Sequence, residues 1–113
     1  MSKQDIPYLK HVIDAIVDIE ESTKNLSKKE FNGNKDVKDA TVRRLEIIGE
    51  AIKNISNDLK VKYNKIEWKK IAGTRDVLIH HYFGVDFDMV WKIIGRDLPK
   101  LKEDIKDILK KEK

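Results

Sequence analysis

The sequence contains no cysteine, and it has only 2 prolines and 5 glycines in 113 residues. The lack of cysteine excludes a disulfide framework, a thiol nucleophile and a cysteine-ligated zinc site. No apolar run approaches the roughly 20 residues needed to span a bilayer. The stretch from Met1 to Lys10 also lacks the apolar core of a signal peptide. We therefore expect a soluble cytoplasmic protein that makes no membrane contact.

Composition favours one compact helical domain covering residues 1–113. Hydrophobic residues account for 40% and charged residues for 39% of the chain, which is typical of a folded protein with solvated outer helix faces. The net charge is +4, but the segment from Lys60 to Arg75 alone carries +5 and the remainder sums to −1. This basic segment is suited to attract a polyanion, although a run of lysines alone is more often simply solvated.

Helical periodicity dominates the sequence, and we expect an all-α, up-and-down bundle of about four long helices plus one short helix. The first helix is predicted from Asp5, as its N-cap, to Leu26. A serine three residues before Glu30 predicts a capping box. The second long helix has the clearest apolar seam, and Gly49 within it indicates a close helix approach. That seam consists of Val37, Thr41, Leu45, Ile48, Ile52, Ile55 and Leu59.

The second half of the chain is predicted to place a short helix before a long C-terminal one. Trp68 and Ile71 are expected core anchors, and Thr74 is the expected N-cap of a short helix from Thr74 to Phe83. Gly84 is its expected C-cap, and Asp86 caps the next helix. The final apolar stripe keeps its phase through Pro99, so we expect a kink there, with Gly95 giving the backbone room to bend. The stripe comprises Phe87, Trp91, Ile94, Leu98, Leu101, Ile105 and Ile108.

The short helix contains the stretch RDVLIHHYFG, which concentrates two of the three histidines. Asp76 and His80 are four residues apart and are neighbours on a helix. A carboxylate there can orient the imidazole and raise its pKa, which favours His80 for acid–base chemistry. His81 points about 100° away and is more readily interpreted as a surface or interface residue.

Structural alternatives exist for the same residues. Asp76 could be a first-turn acid stabilised by the helix dipole, and Tyr82 could be a core tyrosine with a hydrated hydroxyl. Adjacent histidines diverge on a helix, so we expect no metal site. Arg75 and His80 lie about 140° apart, so two antiparallel copies across a two-fold axis would bring them into one cleft. The motif is therefore best interpreted as half of a site completed by a homodimer.

The pattern Arg75, His80 and Tyr82 resembles the signature of the HepT-like toxins of the HEPN superfamily. The resemblance extends to four flanking stretches and covers nearly the whole chain, while Asp76 stands where many members have asparagine. The flanking stretches are LEIIGEA (Leu45 to Ala51), Trp68 followed by IAGTRD, HYFGVD (His81 to Asp86), and VWKII with DLPKL (Val90 to Leu101).

This resemblance implies a toxin of a type VII-like toxin–antitoxin system, acting as a homodimeric, metal-independent endoribonuclease without a cofactor. It implies that Arg75 and His80 are catalytic, with Asp76 in support. A nucleotidyltransferase antitoxin would silence the enzyme by transferring AMP to Tyr82. The expected substrate is RNA, with tRNA the favoured class, and three lysines would hold its phosphate backbone. These are Lys65, Lys69 and Lys70.

Two other functions use the same features. The chain could be a non-catalytic docking subunit of the nucleotidyltransferase, or a plain RNA-binding dimer. The spacing of Asp76 and His80 favours a nuclease over a binding dimer, because simple binding does not require that pair. Glu46 and Glu50, one turn apart, could face a cleft, but solvent is the favoured position for surface carboxylates.

Overall fold

The computed structural model describes residues 4–80 and 85–112, and for residues 75–80 it describes the backbone only. Within these ranges every regular element is a helix and no strand occurs, which confirms the predicted all-α fold. A π-helical segment, Ile93–Asp97, joins the last two helices. The α-helices are α1 (Asp5–Thr23), α2 (Lys28–Asn32), α3 (Lys35–Lys53), α4 (Asn57–Lys62), α5 (Trp68–His80), α6 (Phe87–Lys92) and α7 (Leu98–Lys111).

Three long helices, α1, α3 and α7, form the scaffold of the bundle. Helix α1 packs along α3 and against α7, and α5 also packs along α3. The apolar stripes predicted for these helices supply most of the fully buried side chains. Those with no more than 2% exposure include Leu9, Val12, Ile16, Ile19, Ile48, Ile52, Ile105 and Ile108.

The start of α1 differs from the prediction, because Asp5 is not its N-cap. Gln4 occupies the cap position, and the helix ends at Thr23 rather than Leu26. The Asp5 carboxylate is 2% exposed. It accepts hydrogen bonds from the Ser56 amide at 2.9 Å and the Ser56 hydroxyl at 2.6 Å. Asp5 therefore satisfies polar groups 51 residues away instead of the first turn of its own helix.

The predicted second long helix is divided into α3 and α4. Its seam residues are buried as expected except Val37, which is half-buried, but α3 ends at Lys53 and Leu59 belongs to α4. The break is stabilised on both sides: the Asn54 side-chain amide donates to the Glu50 carbonyl at 2.9 Å, and the Ser56 hydroxyl caps α4. Burial periodicity was a correct guide to the core, and local capping decided where the helix stopped.

Helix α5 also differs from the prediction, since it is continuous from Trp68 and Thr74 is not an N-cap. The Thr74 hydroxyl donates to the Lys70 carbonyl at 3.1 Å, as a threonine inside a helix commonly does. Trp68 is buried as predicted, and its indole N–H donates to the Tyr63 carbonyl at 3.0 Å. The predicted C-cap, Gly84, lies outside the described residues.

The C-terminal region follows the predicted phase through Pro99. Asp86 caps α6, its carboxylate accepting from two backbone amides, as expected. Pro99 lies in the first turn of α7, where its missing N–H is tolerated. Immediately before it, the Leu98 N–H donates to the Ile93 carbonyl, five residues back. This wider π turn is one of the recognised ways a helix accommodates a proline.

Candidate active site

Helix α5 carries both predicted catalytic residues and the supporting aspartate on one continuous backbone. Arg75, Asp76 and His80 all belong to this 13-residue helix, and His80 is its last residue. The spacing of Asp76 and His80 therefore corresponds to one helical turn, as predicted. Their side chains, and residues His81 and Tyr82 in full, lie outside the described part of the structure.

Burial of its N-terminal half fixes the position of α5. Trp68 is 6% exposed, and Ile71 and Ala72 are half-buried against the core. The predicted anchors Trp68 and Ile71 are thus confirmed. Because the helix is unbroken, these contacts also fix the direction in which the backbone runs to Arg75 and His80.

The three lysines predicted to bind RNA are all exposed beside the start of α5. The Lys70 ammonium lies 3.6 Å from the Glu67 carboxylate, and both side chains are about two-thirds exposed. An exposed pair of this kind is weak and does not immobilise the lysine. Lys65 and Lys69 form no ion pair with any residue of the described ranges. Positive charge is therefore available where α5 begins.

Other lysines of the same basic segment are engaged by the fold. The Lys62 ammonium donates to the Glu112 carboxylate at 2.8 Å, and this hydrogen bond raises the pKa of Lys62. Burial lowers the pKa of Lys60, against an opposing attraction from the Asp5 carboxylate. The ion pair of Lys62 and the partial burial of Lys60 distinguish these two lysines from Lys65 and Lys69, which were predicted to bind RNA.

An apolar hollow beside α5 was not anticipated from the sequence. It has a volume of about 120 Å³ and lies between α3, α5 and the start of α7. Ile71 and Thr74 of α5 line one side, and the charged ends of Glu67 and Lys70 also border it. The sequence predicted that Ile71 contacts the core. A sequence pattern does not show whether such a contact is tightly filled or borders a hollow.

The two glutamates of α3 lie on the surface, as favoured. Glu50 is exposed and Glu46 is half-buried, and both border a shallow depression that also includes Tyr8 and His11. Arg43 lies 3.6 Å from the Glu46 carboxylate.

Among the described residues no group of three or more histidines, aspartates or glutamates is arranged to hold a metal ion. Within the same ranges, no helix has the length and apolar character to cross a membrane.

The all-α fold, with Arg75 and His80 on one helix, agrees with the expected resemblance to the HEPN superfamily. The sequence model described as "Ribonuclease HepT-like" matches residues 12–108. The chain therefore belongs to the HepT-like ribonuclease family of the HEPN superfamily.

Individual relatives agree with this assignment. "Probable ribonuclease HepT" of Thermococcus cleftensis is 44% identical over 90% of this chain and 93% of its own length. A protein of Caldanaerobacter subterraneus, named as a candidate RNase, is 43% identical over 95% and 96%. A longer protein of Methanocaldococcus jannaschii, named as a gamma-glutamylcyclotransferase and candidate RNase, is 48% identical over 90% of this chain, which spans only 46% of it. No solved structure matches the chain significantly.

Proposed function

We propose that this protein is an endoribonuclease that cleaves RNA without a metal ion, as the toxin of a toxin–antitoxin pair. The observation that carries the proposal is the unbroken helix α5, which holds Arg75, Asp76 and His80 at fixed spacing in a chain of the HepT-like family. The exposed lysines beside its first turn support RNA as the substrate.

The proposed reaction uses the RNA's own 2′-hydroxyl as the nucleophile. His80 accepts the hydroxyl proton, the 2′-oxygen bonds to phosphorus, and the bond from phosphorus to the 5′-oxygen breaks. His80 of the partner subunit protonates the leaving 5′-oxygen, so the products are a 2′,3′-cyclic phosphate and a 5′-hydroxyl. Arg75 stabilises the negative charge that develops on the phosphoryl oxygens. Asp76, one turn before His80, orients the imidazole.

Dimer formation is part of this proposal. Arg75 and His80 are about 140° apart around the helix, so one copy of α5 does not direct both toward one phosphate. Two copies in antiparallel arrangement across a two-fold axis place each arginine beside the other copy's histidine. Lys65, Lys69 and Lys70 then bind phosphates on either side of the cleft without reading base sequence.

Regulation by AMP transfer completes the proposal. A nucleotidyltransferase antitoxin would bind ATP, the Tyr82 hydroxyl would attack the α-phosphorus, and pyrophosphate would leave. The attached AMP adds a phosphate charge and a nucleoside to the motif, which repels and obstructs the RNA. We expect AMP mass on the wild-type protein after incubation with antitoxin and ATP, and none on Tyr82→Phe.

The nuclease activity is tested with unmodified protein and total tRNA in EDTA. We expect cleavage products with 2′,3′-cyclic phosphate ends, and we expect His80→Ala to reduce the rate by about a hundredfold or more, as loss of a general base commonly does. The His81→Ala variant is the matched control and should retain activity. Both variants should unfold at the wild-type temperature.

Intact tRNA after incubation with wild-type protein of confirmed unmodified mass would contradict the nuclease proposal and favour the docking-subunit function. Equal losses in His80→Ala and His81→Ala would contradict the assignment of the base. DNA of the same sequence should bind but resist cleavage, because it lacks the 2′-hydroxyl.

A further inference from the structure

A shallow depression of about 420 Å³ lies between α1 and α3. Its floor is formed by Ala15 of α1 and by Ala40 and Ile47 of α3. Ile47 is 37% exposed although it is a large apolar side chain, and Ala40 is half-buried. In the part of the chain that the structure describes, this apolar floor therefore remains accessible to a partner.

The depression lies on the side of α3 that faces away from α5. Leu45 lines the hollow beside α5, and Ile47, two residues later, lies about 160° away from it around the helix. Phe87 is also on the Leu45 side, since its ring lies 4.7 Å from the ammonium of Lys38, seven residues before Leu45. Both described elements that flank residues 81–84 therefore contact α3 on the side opposite Ile47.

The two ends of the chain are also separated from this floor. Ala15 lies about 16 Å along α1 from Gln4, whereas a stretch of three residues spans at most about 11 Å. Residues 1–3 thus do not reach Ala15. The last residue of the chain follows Glu112, which pairs with Lys62 of α4. The occupant that this floor accommodates is therefore a second molecule.

On this face α3 has a second seam, separate from its buried one. Its four positions are spaced by 4, 3 and 4 residues, which is typical of a helix that packs lengthwise against another. Three of the four are aliphatic, and two of these are alanines, which allow a neighbouring helix to approach closely. The seam consists of Ala40, Arg44, Ile47 and Ala51. A helix of a second molecule therefore suits this face.

The two edges of the depression carry opposite charges. The α1 edge has the carboxylates of Asp14 and Asp18, and the α3 edge has the guanidinium groups of Arg43 and Arg44. The Arg44 guanidinium lies 3.5 Å from the Asp18 carbonyl oxygen, so the two edges run side by side at the same height. The Arg43 side chain is 72% exposed, and its contact with Glu46 is weak. A balanced pair of edges does not suit a polyanion, whereas it is complementary to a copy of itself.

We propose that this face binds a second copy of the chain, with α1 of each copy packed against α3 of the other. A two-fold axis parallel to the two helices exchanges the edges, so that Asp14 of one copy meets Arg43 of the other. Ile47 of each copy then packs beside Ala15 of the other. An axis perpendicular to the helices would place aspartates over aspartates and arginines over arginines, which like-charge repulsion disfavours.

Sedimentation equilibrium of the full chain over a range of concentrations measures this contact. If α5 also forms the dimer of the proposed nuclease, the two contacts together should raise the wild-type mass above two protomers. Arg43→Glu and Asp14→Lys should each weaken the association roughly tenfold or more, because each change occurs twice in a two-fold interface. An equimolar mixture of the two variants should regain the wild-type association, because both pairs at the mixed interface again join opposite charges.

Matched controls separate this contact from a general effect of surface changes. Lys106→Glu is the control for charge reversal, since Lys106 is exposed on α7 and forms no ion pair within the described ranges. Ile47→Ser should also weaken the association, and Val61→Ser is its control, because Val61 is 71% exposed on α4. Both controls should keep the wild-type mass. Since all the changed side chains are exposed, every variant should unfold within a few degrees of the wild type.

Each outcome has a distinct meaning. A lower mass of both charge variants that recovers in their mixture supports the proposal. A wild-type mass in both Arg43→Glu and Ile47→Ser overturns it. A lower mass of each charge variant without recovery in the mixture also overturns it, because the α1 and α3 edges would then not meet. Cleavage of tRNA is a separate measurement, and Arg43→Glu should retain it because this contact lies away from α5.

Discussion

Helices α1 and α5 differ in what their residues contribute to stability. In α1 four apolar side chains are completely buried, since Leu9, Val12, Ile16 and Ile19 have 0% exposure. In the described side chains of α5, only Trp68 is buried, and the helix continues through a glycine and a threonine that bonds to its own backbone. The comparison shows that the core is concentrated in the scaffold helices, while α5 retains residues that helix stability does not favour.

The largest expected effect on stability comes from a substitution in the buried face of α1. Ile16→Ala should lower the free energy of unfolding by about 2–5 kcal/mol, because it removes buried methylene groups and leaves a cavity. Urea denaturation measures the change, and RNA cleavage should be lost in parallel with the folded fraction. Val17→Ala is the neighbouring control: Val17 is 36% exposed, so a change of less than about 1 kcal/mol is expected. Equal losses of stability in the two variants would contradict the assignment of Ile16 to the core.

A smaller effect of opposite sign is expected at Thr41 of α3. This residue is 0% exposed, and its hydroxyl has no hydrogen-bond partner among the described residues. Thr41→Val keeps the shape and removes a buried polar group, so we expect the free energy of unfolding to rise by about 1 kcal/mol. The matched control is Thr23→Val, because the Thr23 hydroxyl donates to the Ile19 carbonyl at 2.7 Å. A loss of stability in Thr41→Val would indicate that its hydroxyl is bonded in solution.

The smallest effect concerns the capping box of α2 and its dependence on pH. Hydrogen bonds from Ser27 hold the pKa of Glu30 below its ordinary value of 4.5. A depressed pKa in the folded state stabilises the fold above pH 4.5, and this contribution is lost as pH falls through the folded-state value. Glu30→Ala should therefore lower the unfolding temperature at pH 7 and make less difference at pH 3.

The control for this measurement is Glu103→Ala, an exposed glutamate of α7 that forms no ion pair within the described residues. It should change the unfolding temperature equally little at both pH values. The effect of Glu30→Ala would reach beyond the short helix, because α2 carries Phe31. That ring is completely buried and lies 5.1 Å from the Trp91 ring, centroid to centroid.

Most of the fold could be predicted from the sequence, because burial follows helical spacing. The stripe from Leu98 to Ile108 is buried as expected, and Ser27 and Asp86 cap their helices as expected. The errors concern polar residues near helix ends. Asp5 and Thr74 both have the composition of an N-cap, but one bonds to Ser56 and the other to Lys70. Such partners depend on tertiary packing or on an earlier helix start, which local patterns do not contain.

The helical placement of the candidate site was predictable, whereas the roles of its residues stay predictions. The spacing of Arg75, Asp76 and His80 was enough to place them on one helix, and that placement is confirmed. The ion pair of Lys62 was not predictable, because its partner, Glu112, is 50 residues away.

Helix α5 begins at Trp68, before the predicted start at Thr74, so a small tilt at Trp68 displaces the far end of the helix. Trp68 is held at one end by burial and by its bond to the Tyr63 carbonyl, and His80 lies about 18 Å along the axis. A tilt of about 5° at the tryptophan would displace the far end by about 1.5 Å over that length. Displacements of about 1 Å are enough to reduce catalysis by two orders of magnitude. In the proposed nuclease, the placement of the motif would therefore depend on the opposite end of the helix, where the Trp68 indole is held.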